Sequence, residues 1–395
     1  MNIQKILGRD FGLFDLDIKR FDNDLTNAII DKNFLVIGGA GTIGHAVTLE
    51  IFKRNPGKLH VVDINENNLT ELVRDIRSSL GYIKGDFRTY TVDCGSFEFS
   101  SIVKEQGPYD YVLNLSALKH VRSEKDPYTL LRMIDVNILN TKNSLNLFDS
   151  DHLTKYFSVS TDKATNPVNM MGASKRIMEL FLMEASNRFN ISSARFANVA
   201  FSDGSLLHGF TKRILKTQPI SAPRDVLRYF ITPEESGQLC LISTILGDNK
   251  DIFFPKLSDH IKLTPFIVIL ERYLASLGYE IYECSSESEA RSKISMLTKK
   301  NQWPCYFFNS DTTGEKEYEE FFKHSDIINY EKYTNIGIIK ENSSFNKDYL
   351  DNFINNLNII RNKKKINKRE IISLFKEILP DFSHFEKGKS LDERM

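Results

Sequence analysis

From Asn33 to about residue 200 the chain alternates short apolar runs with amphipathic stretches. The runs end near Gly38, Asp63, Asp93, Ser116, Thr161 and Val199, and the stretches between them, 43–54, 67–79, 98–105, 126–149 and 171–188, carry helical spacing. Apolar strands that alternate with helices predict a parallel sheet with helices on both faces. Right-handed crossovers leave the doubly wound α/β arrangement as the simplest topology. After about residue 200 the alternation weakens, and 202–262 reads as loops and short helices with Pro219, Pro223, Pro233 and Pro255. A helix over 265–277 and strands at 280–284, 305–309 and 335–340 predict a further small α/β unit. Two amphipathic helices, about 346–360 and 367–379, follow it, and the last dozen residues read as frayed. Residues 1–30 mix charge with Phe11, Leu13, Phe14, Leu16, Phe21 and Leu25, the pattern of a helical arm that docks on its own domain or on a partner subunit. The expected division is a helical arm (1–30), a dinucleotide-binding domain (31–200), a smaller substrate-binding region (201–262) and a C-terminal α/β extension (263–395).

Charge changes this picture little. The 395 residues carry 52 basic and 52 acidic side chains, so bulk charge gives no argument for nucleic acid. The basic run Arg361–Lys365 reads as a solvated helix linker. No apolar run reaches eighteen residues and the N-terminus lacks the apolar core of a secretory signal, so a cytoplasmic protein without a membrane span is expected. Cys94, Cys240, Cys284 and Cys305 are scattered, and neither they nor the eight histidines show metal-ligand spacing. Free thiols and no bound metal are expected.

Candidate chemistry begins at Phe34-Leu-Val-Ile-Gly-Gly-Ala-Gly-Thr-Ile-Gly44, an apolar strand that runs through glycines into a helix. Gly38 permits a tight turn, Gly41 lets backbone N–H groups near Thr42 and Ile43 approach a pyrophosphate, and Gly44 lets the helix pack close to the strand. Asp63 closes the next strand, about 25 residues on. A carboxylate there can accept hydrogen bonds from ribose hydroxyls and would repel a 2′-phosphate, which favours NAD over NADP. Asp93 is a candidate adenine contact or a helix N-cap.

The second chemical segment is Ser160-Thr-Asp-Lys-Ala-Thr-Asn-Pro-Val-Asn-Met-Met-Gly-Ala-Ser-Lys175. Thr161, Asp162 and Lys163 put a hydroxyl, a carboxylate and an amine at a strand's C-terminal end, where open α/β sheets bind ligands. Met171 and Lys175 resemble in spacing the Tyr-x-x-x-Lys pair of short-chain dehydrogenase/reductases, with methionine in the tyrosine slot. A nicotinamide scaffold lacking that proton handler but holding an Asp-Lys pair points to elimination chemistry. Asn114, Ser116 and Ala117 end the fourth strand near the expected path of the nicotinamide half. Lys119 and His120 could touch phosphate or sugar, although His120 also fits a structural role, and Asn137 fits a core or a supporting role. Asn198 could orient the nicotinamide or the sugar. Arg228, in Arg-Tyr-Phe, could grip a diphosphate through bidentate contacts, or form a surface ion pair.

Together the glycine turn, Asn114-Leu-Ser-Ala-Leu-Lys-His-Val121, Ser160–Lys175 and Arg195-Phe-Ala-Asn-Val199 resemble extended short-chain dehydrogenase/reductases, and within them the nucleotide-sugar 4,6-dehydratases of bacterial polysaccharide biosynthesis. The resemblance covers about residues 33–235. The Asp162–Lys163 pair and the missing tyrosine resemble the branch that retains configuration at C5 and acts on a nucleotide-linked N-acetylglucosamine. The N-terminal arm and Trp303–Lys316 resemble its legionaminic acid members. The resemblance implies NAD, a UDP- or GDP-N-acetylglucosamine substrate, conversion to the 4-keto-6-deoxy sugar and a homo-oligomer contacted through the arm or tail helices. It implies Lys163 as the C5 base, Asp162 as the acid for the C6 hydroxyl, Thr161 as a relay for the C4 hydroxyl proton, and Lys175 against the nicotinamide ribose. Lys163 must then lose its proton near neutrality and Asp162 must hold one, yet an ion pair between them opposes both. A nucleotide-sugar 4-epimerase and a non-catalytic NAD-binding protein are the alternatives. The first needs no C5 base, and the intact Thr-Asp-Lys triplet argues against the second.

Overall fold

A computed structural model describes residues 1–384 except 149, 259–260, 311–315, 317 and 342–346. Six parallel strands, β1 (Asn33–Ile37), β2 (Lys58–Asp63), β3 (Asp86–Thr91), β4 (Tyr111–Asn114), β5 (Lys155–Thr161) and β6 (Ile191–Phe196), lie in the order β3-β2-β1-β4-β5-β6. Strand Asp251–Pro255 adds parallel to β6, and Ile336–Lys340 and Ile328–Asn329 extend that edge antiparallel. Residues 34–37 of β1 are all essentially buried, as expected of a strand covered on both faces. The strand order reverses between β1 and β4, so a crevice opens above their C-terminal ends.

The long helix expected over 126–149 is Pro127–Ile134, a π-helical turn at Asp135–Leu139, and Asn140–Leu145. Such turns often mark functional places. Here the turn carries Asn137, fully buried, whose amide accepts from Leu118 N at 2.9 Å and donates to Leu118 O at 3.1 Å and Ser174 Oγ at 2.9 Å. It clamps the loop after β4 to helix Met170–Ala185.

The C-terminal half interleaves with the rest. Strand Gln302–Phe308 lies between Glu280–Cys284 and Ile220–Pro223 in a three-stranded parallel sheet. That sheet and helices Leu206–Leu215 and Phe266–Ser276 share a core with Phe210, Leu270 and Trp303. Residues from 201–262 and from 263–310 thus build one lobe over the crevice, while 328–340 returns to the main sheet. The tail helices, Lys347–Arg361 and Lys368–Ile378, cover one face of helix Met170–Ala185 and the main core covers another, so fourteen of its sixteen residues are buried. The linker between them pairs Lys363 with Glu370 at 2.9 Å. Helix Asp15–Ile29 of the arm docks on its own chain: Arg9 pairs with buried Glu235 at 2.9 Å, and Asp17 accepts from Thr334 N and Asn335 N at 2.7 and 3.0 Å. Among the described residues the four cysteines are free thiols, and no helix is long and apolar enough to cross a membrane. The polar stretch 311–315 and the terminal residues 385–395 lie outside the described residues.

Candidate active site

The crevice is a cavity of about 670 Å³ that runs from Asp63 and Asp93 over the glycine turn to Thr161–Lys163. Gly38 holds φ +74°, and a side chain there would strike Ser116 N at 2.7 Å. A Cβ at Gly44 would lie 2.2 Å from Gly38 O and 2.6 Å from Gly39 Cα. Gly44→Ala is therefore expected to force the helix off the turn and cost about 1–3 kcal/mol, read from the urea midpoint. At Gly41 the space is open, the nearest atom to a Cβ lying 3.6 Å away. Gly41 also gives helix Thr42–Phe52 no side-chain cap, so its first N–H groups remain available to an anion. Asp63 pins the turn by accepting from Ala40 N at 3.0 Å and opens the next helix by accepting from Asn65 N at 2.9 Å. An uncapped helix start, open space at Gly41 and a carboxylate at the end of β2 fit a dinucleotide.

Asp93 accepts from Gly95 N at 2.8 Å and pairs with Arg132 at 2.6 Å. Burial alone would raise its pKa, but these donors hold it below the usual carboxylate value. The N-cap of the following helix is Ser96, so Asp93 is not that cap. Ser116 and Ala117 line the cavity, whereas Asn114 lies behind its wall and accepts from Ser116 Oγ at 2.7 Å. Lys119 and His120 face the cavity, and Lys119 donates to Ser202 Oγ at 3.3 Å. Burial lowers the pKa of both, reinforced at His120 by Lys119 and Arg122.

The triplet sits where β5 ends. Thr161 Oγ1 donates to Asp162 Oδ1 at 2.9 Å, and Lys163 Nζ donates to the same oxygen at 3.0 Å. The other oxygen, Asp162 Oδ2, is buried with no hydrogen-bond partner among the described residues. All three residues line the cavity. Met171 lines it too and is 4% exposed. Lys175 is buried, donates to Val159 O at 3.1 Å, and is pushed down to about 8 by burial, opposed by Glu179. Asn198 lines the cavity from a short strand, Asn198–Val199, that follows β6.

Arg228 is placed differently from a diphosphate clamp. It is buried outside the cavity lining, and Nη1 donates to Leu227 O at 2.8 Å and Lys316 O at 3.0 Å. Through Lys316 it adjoins a strap of the chain, residues 318–322, that lies beside the triplet. Lys316 Nζ donates to Asn166 O at 2.6 Å, Asn166 Nδ2 to Glu320 at 2.9 Å, and Arg195 Nη1 to Phe321 O at 2.8 Å. The strap brings Glu319 Oε1 to 3.9 Å from Lys163 Nζ. Sequence reasoning missed this carboxyl. Its signal was two acids, Glu319 and Glu320, set directly against the aromatic pair Phe321-Phe322.

Sheet order, glycine turn and crevice define a Rossmann-like, doubly wound fold. Within it, the chain belongs to the family of polysaccharide biosynthesis proteins, whose pattern matches residues 34–341. It is 28% identical over 366 residues to MJ1061 of Methanocaldococcus jannaschii, named an uncharacterized membrane protein, across 90% of this chain and 98% of that one. It is 27% identical over 342 residues to the capsular polysaccharide biosynthesis protein CapD of Staphylococcus aureus, across 85% of this chain and 51% of CapD, so it spans about half of that relative's length. The solved structure of Pen from Bacillus thuringiensis superposes with a TM-score of 0.62 at 21% identity, across 81% of this chain and 90% of Pen, and shares the fold.

Proposed function

We propose that this chain is an NAD-dependent nucleotide-sugar 4,6-dehydratase that acts on UDP- or GDP-N-acetylglucosamine, retains configuration at C5, and serves surface glycan synthesis of the legionaminic acid type. One observation carries the reading: Thr161, Asp162 and Lys163 form a hydrogen-bonded chain of 2.9 and 3.0 Å on the cavity wall, while buried Met171 fills the tyrosine slot.

NAD, when bound, supplies the hydride sink and source. Gly41 and the N-terminus of helix Thr42–Phe52 would hold its pyrophosphate, Asp63 its adenosine ribose, and Lys175 its nicotinamide ribose. Thr161 passes the C4 hydroxyl proton to Asp162, along the observed donor direction. The resulting 4-ketone acidifies the C5 proton, which Lys163 removes. Asp162 returns its proton to the departing C6 hydroxyl, which leaves as water, and Lys163 gives its proton back to C5. The oxygen lost comes from C6 and the extra hydrogen from the C4 hydroxyl, so the balance is one water. The orphaned Asp162 Oδ2 is the carboxyl atom left free for that leaving group.

The test is incubation with each N-acetylglucosamine donor in deuterium oxide, followed by NMR. A 4-keto-6-deoxy product with deuterium at C5 supports the dehydratase. Inversion at C4 alone would make the chain a 4-epimerase, and no turnover with either donor would sink both. Met171→Tyr tests the relay. Turnover is expected to stay within about tenfold of wild type; a rise of orders of magnitude would show that Thr161 is an inadequate path for the C4 proton.

A further inference from the structure

We infer that Glu319, held beside the triplet in the segment 318–322, takes the proton of Lys163 and so frees the amine to act as base while Asp162 stays ionised to receive the C4 proton. This rests on the dehydratase reading and deepens it.

The geometry behind it is a three-group cluster. Lys163 Nζ stands between Asp162 Oδ1 at 3.0 Å and Glu319 Oε1 at 3.9 Å. The Glu319 side chain is 3% exposed and that of Asp162 1%, so two buried carboxyls flank an amine that is 17% exposed and opens on the cavity. With only the pair, neutral Lys163 would require its proton to sit on Asp162, which then could not accept the one leaving C4. A third group removes that conflict. One proton passes from Lys163 Nζ to Glu319 Oε1; the nitrogen keeps its electron pair and no bond between heavy atoms changes. The cluster then holds Asp162 as carboxylate, Lys163 as amine and Glu319 as acid. The 3.9 Å gap has to close by about 1 Å or be spanned by one water, and such tightening accompanies substrate binding at many sites.

Charge around Glu319 points the same way. It faces Lys163 and Asp162 on the catalytic turn, Arg228 from the lobe and Lys316 just before it in the chain. Burial raises its proton affinity and Asp162 adds to this, against the three cations. Arg228 donates to Lys316 O on one side of Glu319 in the chain, and Arg195 donates to Phe321 O on the other. The carboxyl is thus held in place.

Two measurements test this. The first is infrared titration of the holoenzyme without substrate. A carboxylic acid band is expected to survive above the range in which ordinary glutamates ionise, about pH 4.3, and to vanish in Glu319→Gln. Loss of every such band together with the ordinary glutamates, or its persistence in the variant, overturns the assignment. The second is the pH dependence of kcat. Glu319→Gln keeps shape but cannot take a proton, so turnover is expected to fall about a hundredfold at neutral pH and to recover as pH rises, when solvent can deprotonate Lys163. A loss equal at every pH, or no loss, overturns the role. Absence of turnover by the wild type would count against the dehydratase reading, whereas the infrared band judges Glu319 independently of it.

Discussion

Lys163→Met is expected to lower dehydration about a thousandfold, within the range of positioned acid–base groups, and to do so after C4 has been oxidised. The variant leaves Asp162 Oδ1 two of its donors, Thr161 Oγ1 at 2.9 Å and the residue-163 backbone N–H at 2.9 Å. The path for the C4 proton therefore survives and the path for the C5 proton does not. Rapid-quench sampling in deuterium oxide should find a 4-keto hexose that still carries its C6 hydroxyl and has no deuterium at C5. Asp162→Asn should fail earlier, at C4, because an amide cannot receive the proton from Thr161. If Lys163→Met dehydrates within tenfold of wild type, the amine is not the C5 base and the mechanism fails. If instead it blocks C4 oxidation, Lys163 holds the triplet in shape and the base lies elsewhere.

The ordered failure of these two variants follows from the way sequence distance maps onto space. What was legible in the chain was local. The run Phe34–Gly44 carries its strand, turn and helix in eleven residues, and at Gly38 and Gly44 a Cβ would strike backbone. Asp63 was legible because a parallel strand of known length must end beside that turn. Thr161–Lys175 was legible because a strand end and one helical turn fix where Met171 and Lys175 point. Local pattern could not reveal partners far along the chain. Arg228 reads as a diphosphate clamp or a surface ion pair from Arg-Tyr-Phe, but it is buried and donates to Lys316 O, 88 residues away. Asn114 reads as a cavity residue from its strand-end position, but the shorter Ser116 takes the wall and Asn114 supports it from behind. The apolar stripes of the tail helices have no visible partner in sequence, and in the structure they pack on helix Met170–Ala185 of the same chain. Glu319 was hidden for the same reason, 156 positions after Lys163 and following a lobe that had to fold first.

Glu179→Ala is expected to destabilise the protein by about 3–5 kcal/mol, the usual cost of leaving one charge of a buried pair alone. Glu179 is fully buried in helix Met170–Ala185. It accepts from Arg195 Nε and Nη2 at 3.0 and 2.9 Å, from Arg176 at 2.8 Å and from Ser160 Oγ at 2.6 Å. Burial by itself would raise its pKa, but Arg195 above all outweighs that and holds it down to about 2. A depressed carboxyl contributes stability that is complete above its unfolded value, near 4.5, and is lost as pH falls through about 2. The gap in urea midpoint between wild type and Glu179→Ala should therefore be full at pH 7 and shrink between about pH 4.5 and 2. A constant gap would show that lost packing, not the charge, sets the cost. The effect should reach the chemistry as well. Arg195 also donates to Thr165 Oγ1 at 3.2 Å and to Phe321 O at 2.8 Å, while Ser160 precedes the triplet directly. One ion pair thus ties the strand end that presents Thr161 to the strap that presents Glu319. Its removal frees both sides of the cluster at once, so kcat should fall even at temperatures where the variant is fully folded, and Glu179→Gln, which keeps the shape but not the charge, should show the same loss in kcat with a smaller loss of stability.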